Sequence, residues 1–298
     1  MELKKPMSFD EQVEKMRAHG MAIDNEAEAK RILAELNYYR LTGYVLQYRK
    51  EANKSDYVPG LTFDTMCQIY AFDEAMRDIL RKYIEKVEIY YRALISHSFS
   101  MAKCVQPPHD QHYDETNFFN KKGYAEVMDS FKKERNYYKD SLIVKHHKHK
   151  YGNRMPLWVI VELLSFSNVS KLYNTMYISE KQQIADTVGV GIEKLENHLH
   201  CLAVLRNKCA HAARLYNTEF NPPAKFTKQF LKKHPEVLNN TLFAYVLVLI
   251  KHLPDRAMRA QLVSDISIVL EKYSESIDLK MIGFPKYYQD LFDAFVKQ

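Results

Sequence analysis

The stretch from residue 206 to residue 217, RNKCAHAARLYN, gathers side chains that could cleave RNA. On a helix, which turns by about 100° per residue, Asn207 and His211 share a face and Arg214 lies nearly above Asn207. Arg206 lies about 140° around that helix from His211, but its long side chain can reach the same face. Histidine exchanges protons near neutral pH, and arginine holds phosphates and stabilises negative charge as it develops. Because the stretch contains no carboxylate, it suits chemistry without a metal.

A helix end also offers a purely structural interpretation of these residues. Arginine and histidine side chains near the C-terminus of a helix are often solvated, or interact with the negative end of its dipole. Spacing alone therefore leaves both a structural and a catalytic role open for Arg206, Asn207 and His211.

The elements that must position this stretch are predicted to be helices. Of 298 residues only 8 are glycine and 10 are proline, whereas average usage is about 7% and 5%. A hydrophobic fraction of 46% excludes a disordered chain, and the scarcity of turn residues argues against an all-β sandwich. Apolar periodicity predicts helices at residues 8–19, 24–36, 63–100 (one helix or two abutting ones), 156–173, 179–188, 192–217, 237–253 and 256–274.

Several residues have predicted local roles in these helices. Ser8 and Glu11 form a capping-box pattern, and Asp24 is expected to cap the second helix. Pro156 suits the first position of its helix. We expect Trp158, two residues later, to lie in the core.

Charge, cysteines and apolar runs limit the functional class. The formal net charge of +6 permits a nucleic-acid partner without requiring one. The four cysteines include no C-x-x-C pair, so buried free thiols in a reducing cytoplasm are expected, and neither disulfides nor zinc. No secretory signal is visible, and the longest apolar run, Leu242–Ile250, falls short of the roughly 20 residues of a membrane span. We expect a cytoplasmic protein with no membrane contact.

Four further blocks, in order along the chain, resemble one family. They are LNYYRLTGY (36–44), YAFDEAMRDILRKYIEKVEIYYR (70–92), PLWVIVELLSFSNVSKLY (156–173) and GFPKYY (283–288). With the R-N-x3-H motif between the last two, the chain resembles the Abi_2 group of bacterial abortive-infection proteins (AbiD/AbiF-like), within the HEPN superfamily. In the last block Tyr288 stands where the family has tryptophan.

The resemblance implies a fold and an activity. It implies an all-α, HEPN-type helical bundle that commonly dimerises, with additional N-terminal and C-terminal helices. One domain would span 1–298, with a core at about 61–104 plus 156–253, a basic, histidine-rich connection at 105–155, and C-terminal helices at 254–298. The implied activity is phage defence through a metal-independent ribonuclease that leaves a cyclic phosphate and needs no cofactor. On that pattern Arg206, Asn207 and His211 are the catalytic residues.

The chain departs from the family pattern at two further positions. Many members have a second histidine where this chain has Ala212, and alanine at position 213 disfavours the regulation by AMPylation that a His-x-Tyr sequence supports. Arg92 and His97 also fit R-x4-H, but we expect Arg92 to pair with Glu88 and to support the bundle.

Contacts with RNA are expected outside the catalytic group as well. The candidate residues are Arg214, Arg40, Lys208, Lys148 and Arg154. The basic segment 145–150, KHHKHK, could be solvated, could contact the RNA backbone or could bind a metal. The tyrosines at 38, 39, 44 and 48 could stack on bases of single-stranded RNA, or could pack in the core or at the edge of the bundle.

Two hypotheses from different classes follow. The first is a metal-independent ribonuclease toxin of phage defence, acting as a homodimer on RNA. The alternative is a non-catalytic RNA-binding regulator that associates with a small structured RNA, which some family members have encoded nearby. A third hypothesis is a pure protein–protein sensor of a phage product.

Overall fold

The computed structural model describes residue 3 and residues 5–51, 54–152 and 154–297. This part of the chain forms fourteen α-helices, and its β pairing is limited to two isolated bridges, Ala22 with Thr62 and Arg49 with Tyr57. The predicted all-α class is confirmed. The α-helices are α1 (Phe9–Ala18), α2 (Glu26–Glu35), α3 (Tyr38–Thr42), α4 (Phe63–Lys103), α5 (Lys121–Tyr137), α6 (Leu142–Tyr151), α7 (Leu157–Leu163), α8 (Phe166–Thr175), α9 (Ile178–Val188), α10 (Ile192–Ala210), α11 (Lys228–Lys233), α12 (Leu242–His252), α13 (Arg256–Lys272) and α14 (Tyr288–Val296).

The N-terminal helices follow the predicted boundaries with one correction. The capping box at α1 is confirmed, because the Glu11 backbone N–H donates to Ser8 Oγ (3.2 Å) and the Ser8 N–H donates to Glu11 Oε2 (2.7 Å). Asn25 caps α2, and the prediction of Asp24 was wrong. The helix begins one residue later than that cap would require, where the Asn25 side-chain oxygen accepts the Glu28 N–H at 3.0 Å.

Helix α4 is a single helix of 41 residues that runs through the centre of the fold. Side chains such as Ile69, Phe72, Met76 and Leu80 are buried at the three- and four-residue steps seen in the sequence. Helices α3, α7, α8, α9, α10, α12 and α13 all pack against it. Consequently α4 is the element against which the end of α10 is positioned.

The segment 156–173 differs from its prediction, because it forms two helices. α7 ends at Leu163 and Ser165 caps α8 by accepting the Asn168 N–H at 3.3 Å. Pro156 is the N-cap residue and not the first helical residue. Trp158 is 54% exposed, so its expected place in the core was wrong. Leu157, Val159, Ile160 and Val161 are the buried residues of this short helix, and Trp158 lies on its exposed side.

The prediction of a buried helix at the longest apolar run is confirmed. Leu242–Ile250, the longest apolar run, is buried throughout as part of α12. The four cysteines are free, and Cys67 alone among them is half-buried rather than buried. None of the described helices is both long and apolar enough to span a membrane. The connection 105–155 contains α5, which packs on α7 and α8, and the shorter α6.

Candidate active site

Helix α10 ends at Ala210, seven residues before its predicted end at residue 217. His211 is the C-cap residue, and its backbone N–H donates to the Asn207 carbonyl at 3.0 Å. Ala212 then adopts a positive φ of 49°, which turns the chain away from the helix axis. Arg214 therefore does not stack above Asn207, and that part of the predicted geometry was wrong.

Asp73 of α4 holds the turn that follows His211. Its buried carboxylate accepts the backbone N–H groups of Leu215 (3.1 Å) and Tyr216 (2.7 Å) and the Tyr44 hydroxyl (2.8 Å). Arg77, one turn along α4, forms an ion pair with the same carboxylate. Burial raises the pKa of Asp73, while the Arg77 guanidinium and these donors oppose that rise. Because Asp73 accepts the hydrogen bonds of these N–H groups, they have acceptors without continuation of the helix after His211.

Arg206 and Asn207 are directed toward neighbouring helices. The Arg206 Nε donates to Glu88 Oε2 of α4 at 3.2 Å, and the Arg206 side chain is 38% exposed. Asn207 Nδ2 donates to Ser167 Oγ of α8 at 3.2 Å. The two residues thus contact α4 and α8, and neither lines the cleft in which His211 lies.

The second R-x4-H pattern has its arginine in the core and its histidine on the surface. Arg92 is buried, pairs with Glu88 at 2.5 Å and also donates to the Val161 carbonyl of α7. The predicted pair with Glu88 is confirmed. His97 is exposed on α4.

His211 is exposed and lies in a cleft of about 720 Å³ between the N-terminal region and the turn after α10. We call this the basic cleft. It is lined by Lys15, His19, Tyr38, Tyr39, Arg40, Thr42, Gly43, Tyr44, Leu46, Arg49, Ser55, Tyr57, His211, Ala212, Ala213 and Arg214. This volume falls in the range of about 300–1,000 Å³ that is usual for ligand pockets.

All the permanently charged side chains that line the basic cleft are positive. Its lining includes no aspartate or glutamate, and none of its permanent cations, Lys15, Arg40, Arg49 and Arg214, has a carboxylate partner among the described residues. In contrast, Arg31 and Arg81 elsewhere form ion pairs with carboxylates on their own helices. Unpaired cations that share one concave surface attract anions.

Two arginines of the basic cleft join its two walls. Arg40 donates to the Ala212 carbonyl and lies 5.7 Å from the centre of the Tyr70 ring. Arg214 donates to the Gly43 carbonyl and lies 5.9 Å from the centre of the Tyr44 ring. Each arginine thus crosses from its own segment to the other, which fixes both guanidinium groups close to the turn that follows His211.

The remaining candidates for RNA contact lie outside this cleft. Lys208 is half-buried with its Nζ 5.0 Å from the centre of the Phe220 ring, and burial lowers the pKa of Lys208. Lys148 is exposed on α6, and Arg154 pairs with Asp110. Of the predicted contact residues, the structure brings Arg40 and Arg214 alone together with His211.

Metal ligation receives no support from the histidine-rich segment. His147 is buried and its Nδ1 lies 2.8 Å from the Ile143 carbonyl, whereas His146 and His149 are exposed. Within the described ranges no group of three or more histidine, cysteine, aspartate or glutamate side chains could hold a metal ion.

Three basic residues of the basic cleft were missed in the sequence. Lys15 and His19 come from the end of α1, and Arg49 follows the 3₁₀ segment Gly43–Tyr48. His19 Nδ1 lies 3.0 Å from Asp56 Oδ1. No local spacing relates these positions to His211, and the proximity of Arg49 to the block at 36–44 was the one available signal.

Comparison with known protein families identifies the family of this chain. A family model described as Abi-like protein matches residues 31–217, more than half of the chain. The chain belongs to the Abi-like family. Membership indicates a role in abortive infection, the defence of bacteria against phage, and the matched range includes Arg40, Arg206, His211 and Arg214 of this Abi-like protein. No curated protein and no solved structure gives a significant match.

Proposed function

We propose that this Abi-like protein is a metal-independent endoribonuclease of the HEPN type that acts in abortive infection. One observation carries the proposal: His211, a proton-transfer group, is exposed in a cleft whose four permanent cations have no carboxylate partner, and whose lining has no carboxylate, among the residues that the structure describes. A phosphodiester brings negative charge to the cleft, and its cleavage requires proton transfer. The cleft supplies both functions without a metal.

The proposed reaction is an attack by the 2′-oxygen of RNA on the adjacent phosphorus. The His211 imidazole takes the 2′-hydroxyl proton as the new bond from oxygen to phosphorus forms. The bond from phosphorus to the 5′-oxygen breaks, and the leaving oxygen takes a proton from water. Arg40 and Arg214, which flank the turn after His211, stabilise the charge on the phosphate oxygens. The products carry a 2′,3′-cyclic phosphate and a 5′-hydroxyl.

Arg206 and Asn207 have supporting roles in this proposal. Among the contacts described, only Nε of Arg206 is bonded to Glu88, so its two η nitrogens remain for a phosphate. The Glu88 contact holds that guanidinium at the last turn of α10, and the Ser167 contact holds Asn207 beside it. We propose that the pair binds the RNA backbone next to the scissile phosphate.

We propose a homodimer as the active form. Large apolar side chains are exposed along α4 and α7, namely Ile89 (54%), Met101 (61%) and Trp158 (54%). A second copy of the chain would cover exposed apolar side chains of this kind. Light scattering after gel filtration should give the mass of two chains for the wild type, and Trp158→Asp should shift it toward one chain. A single-chain mass for the wild type would contradict the homodimer.

Cleavage of labelled RNA in EDTA tests the activity. The wild-type protein should cut a single-stranded RNA and leave a cyclic phosphate, and His211→Ala should reduce the rate by about 100-fold or more. His97→Ala is the matched control, because this exposed histidine belongs to the other R-x4-H pattern and should leave the rate unchanged. Equal activity of His211→Ala and wild type, or activity that appears only with Mg²⁺, would contradict the mechanism.

The second candidate function is a non-catalytic RNA-binding regulator. It is favoured by the contact between Arg206 and Glu88, which directs the motif arginine away from the lining of the basic cleft. In that case the wild type would not cut RNA, its binding would survive His211→Ala, and affinity would fall steeply with salt concentration. Binding that is insensitive to salt would contradict this function.

A further inference from the structure

Tyr39 presents an uncovered aromatic ring at the basic cleft. Its side chain is 86% exposed, although the neighbouring Leu41 and Thr42 of α3 are buried. The ring has no aromatic, cationic or hydrogen-bonding partner in the part of the chain that the structure describes, while its backbone N–H is held by Asn37 Oδ1 at 2.8 Å. The backbone of Tyr39 is therefore anchored, and both faces of its ring are available.

Arg49 gives the same cleft an unused hydrogen-bond donor. Its Nε is buried and has no acceptor in the structure. Because Nε is shielded from solvent, a ligand in the cleft would contact the half-buried guanidinium of Arg49 through its η nitrogens. Arg49 also has no carboxylate partner among the described residues, so the acceptor it suits best is a negatively charged one.

The basic cleft thus combines an open ring with cations, which is the pattern that binds single-stranded nucleic acid. In such sites cations follow the backbone phosphates, and bases stack on aromatic side chains. We propose that the basic cleft binds single-stranded RNA, with one base stacked on Tyr39 and a nearby phosphate held by Arg49. The inference rests on the proposed function for its choice of RNA as the ligand, and it assigns the substrate class of that site.

Duplex RNA lacks the accessible base faces that the Tyr39 ring would contact. In duplex RNA each base is paired and stacked on its neighbours, so its faces are not available to a protein side chain. The Tyr39 ring can contact a base only where the strand is unpaired. The cleft should therefore distinguish single-stranded from double-stranded RNA through the ring, whereas its cations attract both.

Binding of an uncleavable probe tests this proposal separately from cleavage. The probe is a fluorescein-labelled 10-nucleotide oligouridylate with 2′-O-methyl riboses, and the comparison is the duplex that it forms with its complement, both followed by fluorescence anisotropy in EDTA. Tyr39→Ala should weaken single-strand binding by about 5- to 100-fold, and Tyr39→Phe should retain it. Tyr137→Ala is the matched control, because Tyr137 is 79% exposed on α5 and does not line the cleft.

The outcomes separate this inference from the proposed activity. Tight binding of the single strand by the wild type, lost in Tyr39→Ala alone, supports the inference even if unmodified RNA is never cut. Unchanged binding by Tyr39→Ala overturns it, as does an equal loss for the single strand and the duplex. Because Tyr39 is exposed, its variants should fold, and thermal unfolding should give the same midpoint as for the wild type.

Discussion

The carboxylate of Asp73 accepts the backbone N–H of Tyr216 at 2.7 Å and so ties the N-terminal third of α4 to the turn that follows His211. The same carboxylate accepts the Tyr44 hydroxyl, which belongs to the opposite wall of the basic cleft. One buried side chain therefore sets the relative position of both walls. The shape of the candidate active site depends on a residue that does not line it.

Replacement of Asp73 should destabilise the whole protein. Asp73→Asn leaves Arg77 buried without its carboxylate and turns an amide donor toward backbone N–H groups, so we expect a loss of about 3 kcal/mol in the free energy of unfolding. Urea denaturation measures it. Asp78→Asn is the control, because Asp78 is 61% exposed in a surface pair with Arg81, and the loss there should stay below about 1 kcal/mol. Equal losses in the two variants would contradict the role of Asp73.

Substitutions of the two arginines that contact Glu88 should affect stability and activity differently. Arg92 is buried and bonded to the Val161 carbonyl, so Arg92→Ala should lower the free energy of unfolding by about 3 kcal/mol. Arg206→Ala should cost less than about 1 kcal/mol, because Arg206 is 38% exposed and Arg92 still neutralises Glu88. Cleavage should nevertheless fall in Arg206→Ala. Full activity in that variant would exclude Arg206 from the proposed mechanism.

A chain of hydrogen bonds in the core fixes the tautomers of two buried histidines. The Lys225 carbonyl can only accept, so His198 donates to it from Nε2 (2.8 Å) and accepts at Nδ1 from His252 Nε2 (2.8 Å). His252 Nδ1 then accepts the Tyr91 hydroxyl at 2.5 Å. Burial lowers the pKa of His198 to about 4 and lowers the pKa of His252 well below its ordinary value. Both imidazoles are neutral in the folded protein near neutral pH.

Acid should therefore destabilise the protein before most carboxylates titrate. Below pH 6.5 the unfolded chain takes up a proton at each imidazole while the folded chain does not, so the free energy of unfolding falls as pH falls toward 4. Between pH 6.5 and pH 5.5 we expect a loss of about 2 kcal/mol from the two histidines together. Urea denaturation at each pH measures it, and His252→Leu should reduce the loss by about half. A constant free energy between pH 7.5 and 5.5 would contradict the prediction.

Arg49 should contribute one phosphate contact to RNA binding. If it holds a phosphate, Arg49→Ala should weaken binding of the oligouridylate probe and reduce the slope of log K against log salt by about 0.7. Anisotropy titrations between 50 and 300 mM NaCl would determine that slope. The control is Arg81→Ala, since Arg81 is exposed, paired with Asp78 and absent from the lining of the cleft. Identical slopes for wild type and Arg49→Ala would remove Arg49 from the proposed contacts.

The sequence by itself determined the features that depend on neighbours along the chain. Helical periodicity located α4 and α12, since burial at three- and four-residue steps is a property of a single helix, but it left open whether α4 was one helix or two and began α12 five residues early. The capping box at Ser8 is equally local. The ordered blocks and the R-N-x3-H motif pointed to the family that the match over 31–217 then established.

The tertiary structure decided where α10 ends and what surrounds His211. Periodicity predicted that the helix would continue to residue 217. Instead, Asp73, more than a hundred residues away in sequence, accepts hydrogen bonds from the Leu215 and Tyr216 N–H groups, and the chain turns after Ala210. The basic cleft unites α1, the block at 36–44 and this turn. Local spacing carries no information about such long-range contacts. The sequence therefore predicted His211 as a candidate residue. Tertiary packing determines which residues surround it, because those residues meet only after helices distant in the chain have packed on α4.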